Sequence, residues 1–239
     1  MSKPTVCYSS FCCPKDMERF IATQADHIRS HGYRFDEVRL VQQRCKLPLK
    51  WPPMPIPEEY NDRTLFHEIV DADYPKILHS FGIKYPDPVA DYITKGWESS
   101  HFHAHHLVNH LKVLEHAKSD YIVFADADCY VKDQAEGVSW VDVGINTLEN
   151  NPEMFVVCPS DGRPDGGPDR MMSQQMFLIN RKRFLEMEFL PWDGLFLENG
   201  PFAPFYFLME GFIYRHMVKH NLYRYVLPKE IARWWHNQW

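Results

Sequence analysis

The sequence predicts a single α/β domain in which a central, mostly parallel mixed sheet is flanked by helices, and three observations carry that reading. The chain opens strand, helix, strand. A helix runs directly into the apolar strand Tyr121–Ala125, and further short apolar strands follow toward the C-terminus. Strands alternating with helices mark βαβ units and a parallel sheet. The 239 residues, 45% of them hydrophobic, suffice for one folded domain over 1–239.

The elements follow in order. Val6–Phe11 is a short strand. In the helix after it Pro14 suits the first position, Met17, Phe20, Ile21, Ala25 and Ile28 recur at helical spacing, and Gly32 supplies the stop. "FDEVRLVQ" reads as a second strand. Five prolines then crowd "LPLKWPPMPIPEEYNDR", forbidding helix interior and central strand alike, so 41–63 reads as a Pro-rich insertion. "PKILHSFGI" reads as another strand. From Ser99 or Ser100, as N-cap, a helix runs to about Lys118 with Leu107, Leu111 and Leu114 on its inner face. "EMFVVCPS" and "QQMFLIN" are strands separated by a Gly/Pro-rich flexible loop at 161–170. "FAPFYFLMEGFIYRHMVKH" reads as a largely buried helix, its part "PFYFLMEGFIY" apolar on every side, and "LYRYVLP" as the final strand.

Composition excludes several classes. The net charge is −6 and there is no dense Lys/Arg block, which argues against nucleic acid as a partner. "MSKPTVCYSSF" lacks a signal-like apolar run, and nothing approaches the roughly 18 apolar residues of a transmembrane segment, so a soluble, cytoplasmic protein is expected. Cys7, Cys12, Cys13, Cys45, Cys129 and Cys158 form neither a CxxC pair nor a regular disulfide pattern.

The chemistry concentrates in "SDYIVFADADCYVKD". On a continued strand Asp126 and Asp128 share a face about 6.6 Å apart, and at the carboxyl edge of a parallel sheet they form a site for a hard divalent cation. Such a cation completes its shell with water and phosphate oxygens, which points to a nucleotide diphosphate. The triplet alone is cheap: it recurs at Asp71 and Asp73, where no clean apolar strand precedes it and a turn is the better reading. A calcium-binding EF-hand fails, because Tyr130, Val131 and Gly137 stand where an oxygen ligand, Gly and Glu are needed. A haloacid-dehalogenase-type phosphohydrolase, with Asp126 as nucleophile, stays open.

Two more residues stand out. Glu210 is the only charged residue between Glu198 and Arg215, and an apolar setting raises a carboxylate toward the range of a general base; a structural pairing with Arg215 is the alternative. His236 follows two tryptophans and offers an imidazole to a metal. His103, His106 and His110 share a helical face, but without HExxH they read as half-buried packing and not a zinc site.

The order of these parts, from "EHAKSD" through the apolar strand, "DAD", "SQQMFLINRKRF", Glu210 and "WWH", resembles glycosyltransferases of the GT-A fold, a Rossmann-like architecture. It is most similar to the inverting enzymes of glycosyltransferase family 2 and their relatives. The resemblance implies a hexosyl- or pentosyltransferase that moves a sugar, with inversion, from a nucleotide-diphosphate sugar donor to a hydroxyl of a carbohydrate or glycoconjugate acceptor. It further implies that Asp128 binds Mn2+ or Mg2+, that Asp126 touches the donor ribose or the metal, and that His236 completes the metal site. Glu210 is the implied base, and Ser9 and Ser10 lie beside the nucleobase. Two departures are visible: Gln42 and Gln43 stand where an Asp commonly contacts the base, and Glu210 is single, between Met209 and Gly211, with Asp193 and Glu198 as substitutes. A non-catalytic sugar- or nucleotide-binding domain of the same fold is the remaining alternative. Trp192, Phe202, Phe205, Trp234 and Trp235 are candidate sugar platforms, though such aromatics more often fill a core.

Overall fold

A computed structural model describes residues 3–12, 23–43, 62–69, 73–83, 103–160, 168–169, 175–187 and 209–236. Its strands are β1 (Val6–Cys12), β2 (Glu37–Gln43), β3 (Thr64–Ile69), β4 (Tyr121–Asp126), β5 (Cys129–Gln134), β6 (Met154–Cys158), β7 (Pro168–Asp169), β8 (Met176–Asn180), β9 (Tyr223–Val226) and β10 (Ala232–His236). The helices are α1 (Gln24–Ser30), α2 (Tyr74–Ser80), α3 (His103–His116), α4 (Trp140–Asn150), α5 (Arg181–Leu185) and α6 (Met209–His220).

Among the described residues the main sheet has eight strands in the order β3-β2-β1-β4-β8-β6-β9-β7. The first four are parallel, and β8 enters antiparallel to both β4 and β6. A separate two-stranded sheet pairs β10 with β5. The small sheet is stitched to the main one at Ser160, whose N–H donates to the Ala232 carbonyl while its own carbonyl accepts from the Trp234 N–H.

Side-chain alternation on the strands builds two cores. Cys7, Phe11, Phe124 and Phe177 face α2, α3 and α6 through Ile77, Leu107, Leu111, Leu114 and Phe212. Tyr8, Val123 and Leu178 face α1 and α4 through Ile28, Trp140 and Ile145. Helix α4 lies close on the sheet because Gly144 has no side chain: a Cβ there would stand 2.7 Å from Leu178 Cδ2 and 3.4 Å from Val157 Cγ1. Gly144→Leu is therefore expected to destabilise the protein by about 1–3 kcal/mol, read as a lower urea midpoint. Gly32 ends α1 with φ 57°, as the sequence predicts for a helix stop.

Several expectations need correction. "PKILHSFGI" is not a strand: its first six residues belong to helix α2 and the last three follow it, Pro75 occupies the first turn, and Ile77 and Leu78 are buried while Lys76 and His79 are exposed. The extra parallel strand is "TLFHEI", β3. Val41–Gln43 complete β2, and 44–61 lie outside the described residues. Asp73 precedes α2 as its N-cap residue, and Asp71 lies outside the described residues. Pro168–Asp169, within the expected loop, pair with β9. Strand β9 is not the last, since β10 follows it. Helix α6 is not buried all round, because Tyr214 and Val218 are 38% and 44% exposed. Of the predicted helix from Pro14, only α1 is described, and α3 carries Leu107, Leu111 and Leu114 buried as expected. Among the described residues no helix is long and apolar enough to cross a membrane.

Candidate metal and nucleotide site

Strand β4 stops at Asp126, and Ala127 and Asp128 form a turn before β5 begins. The two carboxylates are thus not neighbours on one strand and do not share a face through strand alternation. The turn brings them together instead. One ligand atom each from Asp126, Asp128 and Cys129 lies within 4.8 Å of the others, with Asp126 half-buried, Asp128 9% exposed and Cys129 fully buried. The Cys129 thiol donates to Asp128 Oδ1 at 3.5 Å. Two carboxylates suit a hard divalent ion such as Mn2+ or Mg2+, whereas a thiol favours softer metals, so Cys129 serves here as a donor that orients Asp128.

Backbone pairing supplies the next element. Antiparallel register sets His236 opposite Cys129, beside the turn although 107 residues separate the two in sequence. On the other side, α1 reaches the turn: Gln24 Nε2 donates to the Ala127 carbonyl at 2.7 Å, and His27 Nδ1 lies 2.9 Å from the same oxygen. Burial pushes His27 below its ordinary value, so the ring is neutral near pH 7, and the carbonyl selects the tautomer with hydrogen on Nδ1.

Beneath Asp126 lies a cavity of about 10 Å³, room for a single water, lined by Ser9, Phe11, Val41, Asn109, His110 and Asp126 among others. Asn109 is 1% exposed, and neither side-chain amide atom has a hydrogen-bond partner among the described residues. Ser9 shares this face of β1 with Phe11, whereas Ser10, also buried, points to the opposite face with Tyr8. The two serines therefore flank the sheet and do not act as one pair.

Neither a protein-family model nor a curated protein matches the chain. Solved structures do. One is the mannosyltransferase PcManGT from Pyrobaculum calidifontis in complex with GDP-Man and Mn2+, at TM-score 0.51 and 12% identity, covering 97% of this chain and 57% of that one. Another is S. aureus TarS 1-349, at TM-score 0.50 and 11% identity, covering 96% of this chain and 60% of that one. The fold is GT-A-like. The chain spans less than two thirds of either neighbour's length.

Within the GT-A-like fold, the turn at Asp126 lies at the carboxyl end of the central parallel strand, where open α/β sheets receive ligands. Glu210 is half-buried in the first turn of α6. His110 packs against the rings of Phe124 and Phe177, at 4.6 and 5.7 Å between centroids, and is buried where a half-buried ring is expected. Trp234 belongs to the core. Trp235 is 39% exposed and carries Lys132 Nζ 4.5 Å from its ring centroid. Asp193, Glu198, Trp192, Phe202 and Phe205, and the side chains of His103, His106 and His236, lie outside the described residues. Sequence reasoning missed Gln24, His27 and Asn109. The first two belong to a helix whose spacing shows only which residues are apolar, and nothing local ties them to a turn 100 residues away.

Proposed function

We propose that the protein is a metal-dependent glycosyltransferase that moves a sugar from a nucleotide-diphosphate donor to an acceptor hydroxyl with inversion. The observation that carries this reading is the pair of carboxylates converging at the end of β4 in a GT-A-like fold. In it, Asp126, Asp128 and His236 hold Mn2+ or Mg2+, a fit supported by the two hard oxygen donors and by the register of β10 on β5. The bound ion supplies positive charge for the diphosphate. A complex of GDP-Man and Mn2+ with a mannosyltransferase of similar fold supports the same donor class.

The remaining roles belong to the chain's own groups. Ser9 contacts the donor from the Asp126 face of β1 and Ser10 from the other, beside the nucleobase. Glu210 accepts the proton of the acceptor hydroxyl as the new oxygen–carbon bond forms at the anomeric centre. The bond from that carbon to the diphosphate oxygen breaks on the opposite face, so configuration inverts.

A thermal-shift screen of UDP, GDP, dTDP and CMP, each with and without Mn2+, tests the proposal. Stabilisation by one nucleotide that requires Mn2+, followed by sugar transfer from its sugar conjugate, is the expected result. Binding without turnover would make the protein a non-catalytic binding domain, and phosphate release from a phosphomonoester without metal-dependent nucleotide binding would make it a phosphohydrolase. For Glu210→Gln, nucleotide binding is expected to persist while transfer falls about 100-fold. Near-normal turnover in that variant would remove Glu210 from the mechanism.

A further inference from the structure

We propose that Gln24 and His27 of α1 are positioning residues that hold the Asp126 and Asp128 carboxylates in a ligand-ready geometry; this rests on the metal role proposed above. Both side chains are buried, at 0% and 5% exposure, and both reach the single carbonyl of Ala127, the residue between the two aspartates. A carbonyl that accepts from two rigidly held donors has its direction set. The peptide plane that joins Ala127 to Asp128 is set with it, and so is the direction in which the chain enters Asp128.

The grip continues past the turn. Ser30 Oγ accepts the Val131 N–H at 3.0 Å and donates to the His27 carbonyl at 2.6 Å. The His27 and Tyr130 rings lie nearly parallel, 5.6 Å apart at an interplanar angle of 20°. Residues on one face of α1 therefore hold the segment from Ala127 to Val131 on both sides of Asp128.

Such a grip has a physical purpose. Two carboxylates with oxygen atoms within 4.8 Å of each other repel when ionised, and a free two-residue turn relaxes by splaying them. Anchoring the intervening carbonyl to a packed helix opposes that relaxation before any cation arrives, so less reorganisation accompanies binding. His27 and Gln24 thus act on the metal through the backbone without touching it.

The test uses the full chain and Mn2+ alone. His27→Leu removes one donor, and Gln24→Glu replaces the other with a carboxylate that has no N–H to give. His27→Asn restores an N–H near the position of Nδ1. Titration followed by the paramagnetic signal of free Mn2+ is expected to show affinity about 10-fold weaker in His27→Leu and Gln24→Glu, and near wild-type affinity in His27→Asn. Crystal structures without metal are expected to show the Asp126 and Asp128 carboxylates further apart in His27→Leu than in the wild type. Folded His27→Leu and Gln24→Glu proteins with wild-type Mn2+ affinity would overturn the inference. An unchanged carboxylate separation would do the same. If the wild type binds no Mn2+, the proposed function fails, while the crystallographic comparison still decides whether α1 sets the carboxylate geometry.

Discussion

Asp128→Asn is expected to reduce sugar transfer on the order of 1,000-fold and to abolish the Mn2+-dependent part of nucleotide stabilisation, while leaving the fold intact. The substitution is isosteric and keeps an Oδ1 that can accept from the Cys129 thiol, so the local hydrogen bond survives. What is lost is negative charge at a nearly buried position, 9% exposed, inside a donor set only 4.8 Å across. Water screens such a charge poorly, so its removal weighs more than that of a surface carboxylate. The measurements are a melting curve without metal, which should lie at or slightly above the wild type because repulsion from Asp126 is relieved, and one with nucleoside diphosphate and Mn2+, which should no longer shift. Wild-type turnover in Asp128→Asn would remove the carboxylate pair from the mechanism.

The second large effect concerns acid. Burial is the leading cause that takes His31 from 6.5 to about 3 and His67 and His216 from 6.5 to about 4. His31 accepts the Trp140 indole N–H on Nδ1 at 3.2 Å in the core between α1 and α4, so the neutral ring is the one that fits. His67 lies 2.7 Å from the Arg39 guanidinium and stacks on His116, and protonating it would add a cation beside an existing one. His216 sits 2.9 Å from the Phe212 carbonyl, with His220, Arg215 and Lys219 disfavouring its charge. Because these values are depressed on folding, the unfolded chain takes up protons below pH 6.5 that the folded chain refuses. Stability is full above that value and falls as pH drops toward 4 for His67 and His216 and toward 3 for His31.

Carboxylates add to the loss at the acid end. Burial raises Glu37, but hydrogen bonds from the Lys118 N–H, the Arg39 guanidinium and the Ser119 hydroxyl outweigh it and hold the carboxyl below 4.5. Hydrogen bonds from the Thr5 N–H and hydroxyl hold Asp120 below 3.8. Stability from these groups is present above the unfolded values and is lost as pH falls through the lower folded ones. Urea midpoints measured from pH 7.5 to pH 4 are therefore expected to fall steadily, and His67→Phe should flatten the slope. A midpoint that stays level or rises on acidification would contradict this reading.

How much was legible in the sequence differs between fold and site. Strands β1, β4, β6 and β8 are legible because each is a short, largely apolar run, β2 and β9 because Val and Tyr recur between turn residues, and α3 because Leu107, Leu111 and Leu114 keep helical spacing. Strand β3 was hidden behind the proline-rich stretch. Strand β5 was hidden by its mixed character: in "CYVKDQ" one face serves the core through Cys129 and Val131, and the other carries Lys132. Helix α4 is not among the elements predicted above, although Ser139 caps it by accepting the Asp142 N–H at 3.3 Å. In α2 the buried pair Ile77 and Leu78 is equally compatible with a strand until the chain's packing against α3 decides.

By itself the sequence determined the class of architecture and the carboxylates at Asp126 and Asp128, because hydrophobic period and the abrupt end of an apolar strand are local properties of the chain. Tertiary structure alone decided that these carboxylates meet across a turn, that β10 brings His236 opposite Cys129, and that Gln24 and His27 hold the carbonyl between the aspartates. The last two relations join residues about 100 positions apart. Nothing in a local pattern encodes such distances; the packing of α1 against the turn and β5, and the pairing of β10 with β5, create them.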